Sequence, residues 1–273
     1  MIKQKIKVKD FSLETTLKSG QFFSWRSFED GYLVWSGAEV FWIRQVDNKL
    51  NFEGIEENKL VHLFSLDEDY ERITQELKKD AFMEKAVNEL KGLRIMRQDF
   101  YSCLIGFVCS ANANIPKITK NIHLLSEFFG EIKEILGETV FLFPKPKKLC
   151  DYDKIREAKT GFRAKYICKI NEIVDERYIQ NIKKMNYEQA KEKLIELPGV
   201  GIKIAECVCS FALGHPQAFP VDVWIRRIMQ ENYFNNKEVK DGEIMKFAKE
   251  YFGKNAAYAN QFMYHYSRTQ SAK

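Results

Sequence analysis

Leu197-Pro198-Gly199-Val200-Gly201 interrupts two helical patterns, with Ala190, Leu194 and Ile195 before it and Ile204, Ala205, Val208 and Ala212 after it. Two glycines so close together allow a tight hairpin, and the second helix then opens on unpaired N–H groups at the positive end of its dipole. Such an end suits an anion, for instance a backbone phosphate. Taken alone, the segment serves a plain helical hairpin with glycines for packing as well as it serves phosphate binding. Helical spacing sets Lys203 and Cys207 on one face and turns Ile204, Val208 and Phe211 toward another, so the lysine projects beside the turn and away from the core. Most helix lysines are solvated charges, but an amine held near apolar or cationic neighbours sheds its proton more easily and becomes a nucleophile able to form a Schiff base. Nineteen positions after Lys203, Phe219-Pro220-Val221-Asp222 sets a carboxylate at the head of another helical pattern. By position Asp222 is an N-cap; held there it stays ionised and can stabilise a sugar cation or handle protons for Lys203. The combination is far more specific than any of its parts.

The first third of the chain reads as sheet. Residues 3–8 alternate, Tyr32-Leu33-Val34-Trp35 and Val40-Phe41-Trp42-Ile43 are β-prone runs around Ser36-Gly37, and Leu50-Asn51-Phe52 ends at Gly54, a pattern that predicts an antiparallel meander. From Glu56 helical spacing takes over, and nearly everything after Asp99 reads as helix. An apolar helix runs to Ser110, Asn114 caps the next with Pro116 in its first turn, and further helices are expected near 163–175, 187–196, 202–213, 223–232, 242–252 and 256–267. The fold class is therefore α+β: an N-terminal antiparallel sheet domain with short helices over 1–91, then a mainly α-helical domain over 92–273 that carries the hairpin.

Composition narrows the function classes. A 273-residue chain with 45% hydrophobic and 30% charged residues is globular, and 21 Phe and 12 Tyr exceed what packing alone asks for, which leaves rings for stacking. The net charge of +5 permits an anionic partner without demanding one. No apolar run approaches a membrane span, and Met1 to Lys7 alternates where a signal peptide needs an apolar stretch, so a cytoplasmic protein with no membrane partner is expected. The six cysteines show no disulfide framework, and no metal site is written in the sequence.

The segment from Leu197 to Cys207 followed by Pro216 to Asp222 resembles the helix-hairpin-helix, Gly/Pro-rich loop and aspartate signature of DNA base-excision glycosylases. It is most similar to the bifunctional 8-oxoguanine DNA glycosylase/AP lyases. Ser19-Gly20-Gln21-Phe22-Phe23-Ser24-Trp25, Arg97-Gln98-Asp99 through Cys109-Ser110-Ala111-Asn112-Ala113-Asn114-Ile115, and Gly161-Phe162-Arg163-Ala164-Lys165-Tyr166 match that family in the same order, so the resemblance spans nearly the whole chain. It implies that Lys203 attacks the sugar C1′, expels the damaged base and forms the Schiff base from which β-elimination nicks the strand. Asp222 assists, and Gly199, Gly201 and Trp224 lie where the DNA backbone is held. Asn112 and Phe162 fill the gap left by the flipped nucleotide, and Arg163 donates to the estranged cytosine. Gly20 supplies the carbonyl that accepts from N7–H, the donor that oxidation creates; Cys207 and Tyr264 sandwich the base, and Asn260 reads its Watson-Crick edge, with neighbouring Gln261 the alternative.

The chain departs from the family pattern at several of these positions. Asn260 stands for glutamine, Tyr264 for phenylalanine and Trp224 for histidine, while Lys117 replaces a second cytosine-reading arginine and lacks its bidentate fork, which points to relaxed opposite-base selectivity. The chain lacks the four-cysteine tail of adenine- and pyrimidine-specific relatives and keeps the lysine that monofunctional alkyl-base relatives lack. The expected partner is double-stranded DNA containing 8-oxoguanine, bound by a monomer of prokaryotic, nucleoid-associated character. No cofactor is required, although the family often holds a structural monovalent cation on hairpin carbonyls. The alternatives are a glycosylase for another damaged base and a non-catalytic helix-hairpin-helix clamp; Lys203 with Asp222 speaks against the clamp.

Overall fold

Five strands, β1 (Gln4–Lys7), β2 (Trp25–Phe28), β3 (Gly31–Ser36), β4 (Glu39–Val46) and β5 (Lys49–Glu53), form an antiparallel sheet in the order β1-β5-β4-β3-β2 in the computed structural model, which describes residues 4–271. β1, β3, β4 and β5 lie where the sequence predicts strands, Trp25–Phe28 (β2) adds an edge strand it does not predict, and β1 closes the other edge. Met1 to Lys3 lie outside the described residues. Val34 pairs with Phe41 and Leu33 with Trp42, so successive residues face opposite sides of the sheet. Both sides are covered. Val34, Phe41, Ile43, Leu50 and Phe52 pack under Leu13, Leu17, Leu60 and Phe64, while Leu33, Trp35, Val40 and Trp42 meet Ile135, Val140 and Leu142. Burial on two faces explains why Tyr32–Trp35 and Val40–Ile43 read as continuous apolar runs.

Ile135 and Val140 on that second face belong to a strand pair that the largely helical reading of the chain after Asp99 does not foresee. Ile132–Ile135 (β6) and Glu138–Phe141 (β7) form a hairpin, turned by Leu136 and Gly137 at φ +52° and +78°. A two-residue turn with both φ positive matches the twist of its strands, and Leu-Gly is a weak sequence signal for it. The hairpin's apolar residues cover this sheet face, where the His123 ring from helix Ile115–Phe129 also meets Trp35 at 5.0 Å.

The larger core is helical and centres on Phe100–Cys109, in which every residue is buried. Around it pack Ile115–Phe129, Ala164–Ile173, the hairpin pair Tyr187–Ile195 and Ile202–Phe211, then Val223–Tyr233, Asp241–Phe252 and the C-terminal helix Ala256–Ser271. Caps set several of the boundaries. Asp99 accepts from Ser102 N at 2.9 Å, Asn114 from Lys117 N at 3.0 Å, and Asp175 from Tyr178 N at 2.7 Å. The last of these starts a separate helix, Glu176–Ile182, which ends the preceding one at Ile173, short of residue 175. Helices Tyr70–Leu77 and Ala81–Glu89 precede Lys91 in sequence but send Met83, Ala86 and Val87 into the same core as Phe262 and Met263.

A hydrogen-bonded seam fastens the sheet side to the helical body. Gln21 donates to Arg94 O at 2.8 Å and accepts from Met96 N at 2.8 Å, while Gln98 Nε2 donates to Gln21 O at 2.7 Å and Gln98 N to Phe211 O at 2.8 Å. Buried amide groups so fully paired hold the Ser19–Trp25 loop against the end of the second hairpin helix. Among the described residues no helix is long and apolar enough to cross a membrane.

Candidate active site

The two hairpin glycines do different work. Gly199 has φ +80°, and a Cβ on it would come within 2.5 Å of the Tyr166 ring, so it is a packing glycine. Gly201 has an ordinary backbone (φ −92°) and open space where a side chain would stand, and it is the N-cap of Ile202–Phe211 without any capping side chain. The two glycines therefore differ: the first turns the chain against Tyr166, and the second leaves the helix N-terminus open, as an anion site requires.

Lys203 follows in the first turn of that helix. Its Nζ donates to Ser110 Oγ at 3.1 Å and lies 5.2 Å from the centroid of the Phe107 ring. Both partners belong to the end of the buried central helix or the residue just past it, so the amine is held over a cavity of about 1100 Å3 and does not extend into solvent. One turn on, Cys207 faces the same cavity; burial pushes its thiol up to about 11, against the opposing pull of the Lys203 ammonium, so it stays a neutral thiol at physiological pH.

Asp222 reaches the cavity from the other wall as the N-cap of Val223–Tyr233, accepting from Ile225 N at 2.8 Å. Two buried side chains set the path of the loop that carries it. Glu206, wholly buried on the Lys203 helix, accepts from Phe219 N at 2.8 Å and from Tyr187 Oη at 2.6 Å, and Asn260 Nδ2 donates to Pro220 O at 2.9 Å. Burial raises the Glu206 carboxyl, and its two donors counter the shift. Glu206 thus ties the lysine helix to the aspartate loop.

Gly20 lies on the facing wall at φ +83°; a Cβ there would meet Ile115 Cδ1 at 2.5 Å, Arg268 Nη1 at 2.6 Å and Tyr264 Cε1 at 3.3 Å. Only glycine fits the loop at this point. The Tyr264 phenol is raised by burial; the Arg268 charge counters this, the Asp222 carboxylate adds to it, and the Lys203 charge counters it more weakly, which sets the ring among the charged groups of the site.

The structure gathers Gly20, Asn112, Gly201, Lys203, Cys207, Asp222, Trp224, Asn260 and Tyr264 around one cavity. Lys117, Phe162, Arg163 and Gly199 lie outside its lining. Phe162 stands 53% exposed beside it, a ring free to wedge, and Asn112 projects from a left-handed turn at φ +51°. Lys117 is exposed on its helix. Two expected roles change. Arg163 is only 2% exposed, and its guanidinium donates to the carbonyls of Ala111, Thr160 (3.0 Å) and Asn112 (3.2 Å). In this structure the Arg163 guanidinium is engaged with three carbonyls and holds the Asn112 loop in place. Asn260 is engaged with Pro220, whereas Gln261 donates to Ser19 O at 3.1 Å and also lines the cavity. Sequence reasoning gave no role to Ser110, Phe107, Glu206 or Arg268. Ser110 sits in a matched stretch, but nothing local signals its pairing with a lysine 93 positions away. Among the described residues no group of three or more His, Cys, Asp or Glu could hold a metal ion.

A sheet domain fastened to a helical body, with a hairpin lysine and a capping aspartate facing across one cleft, defines a DNA glycosylase of the helix-hairpin-helix class. Residues 3–104 match the family model for the N-terminal domain of 8-oxoguanine DNA glycosylase. A probable N-glycosylase/DNA lyase of Methanothermobacter thermautotrophicus is 30% identical, with 97% of this chain and 96% of that protein covered. The solved structure of MBOgg1 in complex with a low-affinity DNA ligand superposes with a TM-score of 0.93 at 31% identity, covering 98% of this chain and 96% of that one. The 8-oxoguanine glycosylase/lyase of Clostridium acetobutylicum, in complex with double-stranded DNA containing cytosine opposite 8-oxoguanine, superposes with a TM-score of 0.90 at 29% identity over 98% of both chains. The chain belongs to the 8-oxoguanine DNA glycosylase/lyase family of the helix-hairpin-helix superfamily.

Proposed function

We propose that the protein, acting as a monomer on duplex DNA, flips 8-oxoguanine paired with cytosine into the 1100 Å3 cavity, excises it with Lys203 and then nicks the strand. The observation that carries this reading is the Lys203 amine held at 3.1 Å from Ser110 Oγ inside the cavity that Asp222 also lines.

The chemistry follows from what these groups can do. A neutral Lys203 Nζ attacks C1′ as the C1′–N9 bond breaks, and the base leaves with the bonding electron pair and takes up a proton. Opening of the sugar ring yields a protonated Schiff base, and loss of a C2′ proton then expels the 3′ phosphate by β-elimination. Asp222, fixed by its cap bond, stabilises the cationic sugar as charge develops. Cys207, a neutral thiol, offers a polarizable face to the base. Open backbone at Gly201 lets the helix N-terminus hold a phosphate, and Asn112 and Phe162 occupy the space left by the flipped nucleotide, offsetting an unstacking cost of a few kcal/mol. A monovalent cation on hairpin carbonyls would stiffen the turn, and no chemical step passes through it.

Borohydride trapping on a duplex with one 8-oxoguanine opposite cytosine tests the reading, with undamaged and uracil-containing duplexes beside it. A covalent adduct formed on the lesion alone is expected; release of another base in preference, or salt-sensitive binding without adduct or base release, overturns it.

A further inference from the structure

Arg268 is the one cationic side chain besides Lys203 and Arg226 to line the cavity, and its position differs from theirs. It projects from the C-terminal helix onto the Gly20 loop. Nη2 is committed to the carbonyl of Lys18, whereas Nη1 is buried without a hydrogen-bond partner. That free nitrogen lies 2.6 Å from the point where a Cβ on Gly20 would stand, and the guanidinium carbon lies 5.6 Å from the centroid of the Tyr264 ring. Gln261, from the same helix, binds Ser19 O at 3.1 Å, so the helix holds the two carbonyls before Gly20 and leaves the Gly20 carbonyl free of any donor among the described residues. A buried guanidinium N–H without a partner is costly, and a cavity wall is where a ligand can supply the missing acceptor.

We propose that Arg268 is a specificity-determining residue whose Nη1 donates to the oxygen-bearing edge of the flipped oxidised purine. This rests on the functional reading above. The chemistry of the base fits the pair of groups presented. On 8-oxoguanine, N7–H is flanked by O6 and O8, so the edge reads acceptor, donor, acceptor; a carbonyl beside a guanidinium N–H presents the complementary acceptor and donor. Guanine offers no N7–H and no O8, so it meets the Gly20 carbonyl with the N7 lone pair and has C8–H in place of the O8 acceptor, keeping only O6 in common. Tyr264 lies against the guanidinium and fixes its plane, while the Lys18 carbonyl anchors the other nitrogen, which orders the donor before the base arrives.

The test compares two substrates that differ only in the presence of the base. Single-turnover release of 8-oxoguanine and cleavage of a preformed abasic site are measured with the wild-type chain, Arg268→Met and Arg268→Lys. Arg268→Met is expected to slow base release by roughly tenfold to a hundredfold, as for loss of a charged hydrogen-bond donor, and to leave abasic-site cleavage within about twofold of wild type, since no base fills the pocket in that reaction. Arg268→Lys keeps the charge and the Tyr264 contact and is expected to recover part of the rate. Equal losses on both substrates would show that Arg268 only fastens the Lys18 carbonyl, and unchanged base release in both variants would overturn the proposal; thermal melting of each variant identifies any that has unfolded, and Arg268→Lys then carries the comparison. A wild-type chain that cleaves abasic DNA but releases no 8-oxoguanine overturns the functional reading instead, before any variant is compared.

Discussion

Lys203 Nζ donates to Ser110 Oγ at 3.1 Å, which joins the first turn of the second hairpin helix to the residue that ends the buried central helix. The bond fixes where the amine sits in the unliganded site, with the Phe107 ring centroid 5.2 Å away. Lys203→Gln keeps a polar side chain, one bond shorter and uncharged, and removes the nucleophile. Covalent trapping is expected to vanish while affinity for lesion DNA stays within a few fold; a trapped adduct in this variant would place the nucleophile elsewhere.

Asp222→Asn separates the cap from the charge. Asparagine caps helices about as well as aspartate, so melting should shift by less than about 1 kcal/mol. Base excision should fall by an order of magnitude or more, because the cationic sugar loses its carboxylate. Equal activity in the two proteins would reduce Asp222 to a structural cap.

The hairpin glycines are expected to respond in opposite ways. Gly199→Ala meets both a positive φ and the Tyr166 ring at 2.5 Å, and should cost more than about 1 kcal/mol of stability in a denaturant titration. Gly201→Ala has room and an allowed backbone, so the fold should hold while DNA affinity and its salt dependence decline through crowding of the phosphate. Identical melting of the two variants would contradict this division.

Arg163→Ala leaves the carbonyls of Ala111, Asn112 and Thr160 without their donor in a buried place. The expected loss is about 2–4 kcal/mol of stability, with weaker binding to duplexes whatever base lies opposite the lesion. A variant of wild-type stability with an altered opposite-base profile would restore Arg163 to direct reading of the cytosine.

His265 is buried at 5% exposure, and burial, aided by the Arg268 charge, lowers its imidazole to about 4. The unfolded chain, with an ordinary value near 6.5, binds a proton first, so stability is highest above that pH and falls as pH drops from about 6.5 toward 4. The contribution is on the order of 3 kcal/mol. His265→Gln should flatten the slope of melting temperature against pH in that window; an unchanged slope would assign the acid sensitivity to other groups.

Local rules carried the sequence reading a long way. Period-two and period-3.6 patterns located the sheet and most helices, and cap residues such as Asn114 and Asp222 marked where helices begin, because those signals lie within a few residues of one another. The same holds for the pairing of Lys203 and Cys207 across one helical turn. The hairpin of Ile132–Ile135 with Glu138–Phe141 escaped because its reason is a distant sheet face left to be covered by Ile135, Val140 and Leu142.

What the sequence by itself determined is the chemistry on offer: a lysine behind a glycine hairpin, an aspartate at a helix start, and a glycine at position 20 in a loop between elements. Tertiary structure alone decided how these are used. It chose which hairpin glycine packs and which stays open, committed Arg163 to carbonyls and Asn260 to Pro220, and brought Ser110, Glu206 and Arg268 to the site. The physical reason is separation along the chain: a cap or a helical face is set by neighbours a few bonds away, whereas a contact across 93 residues, as between Ser110 and Lys203, exists only once two helices have packed.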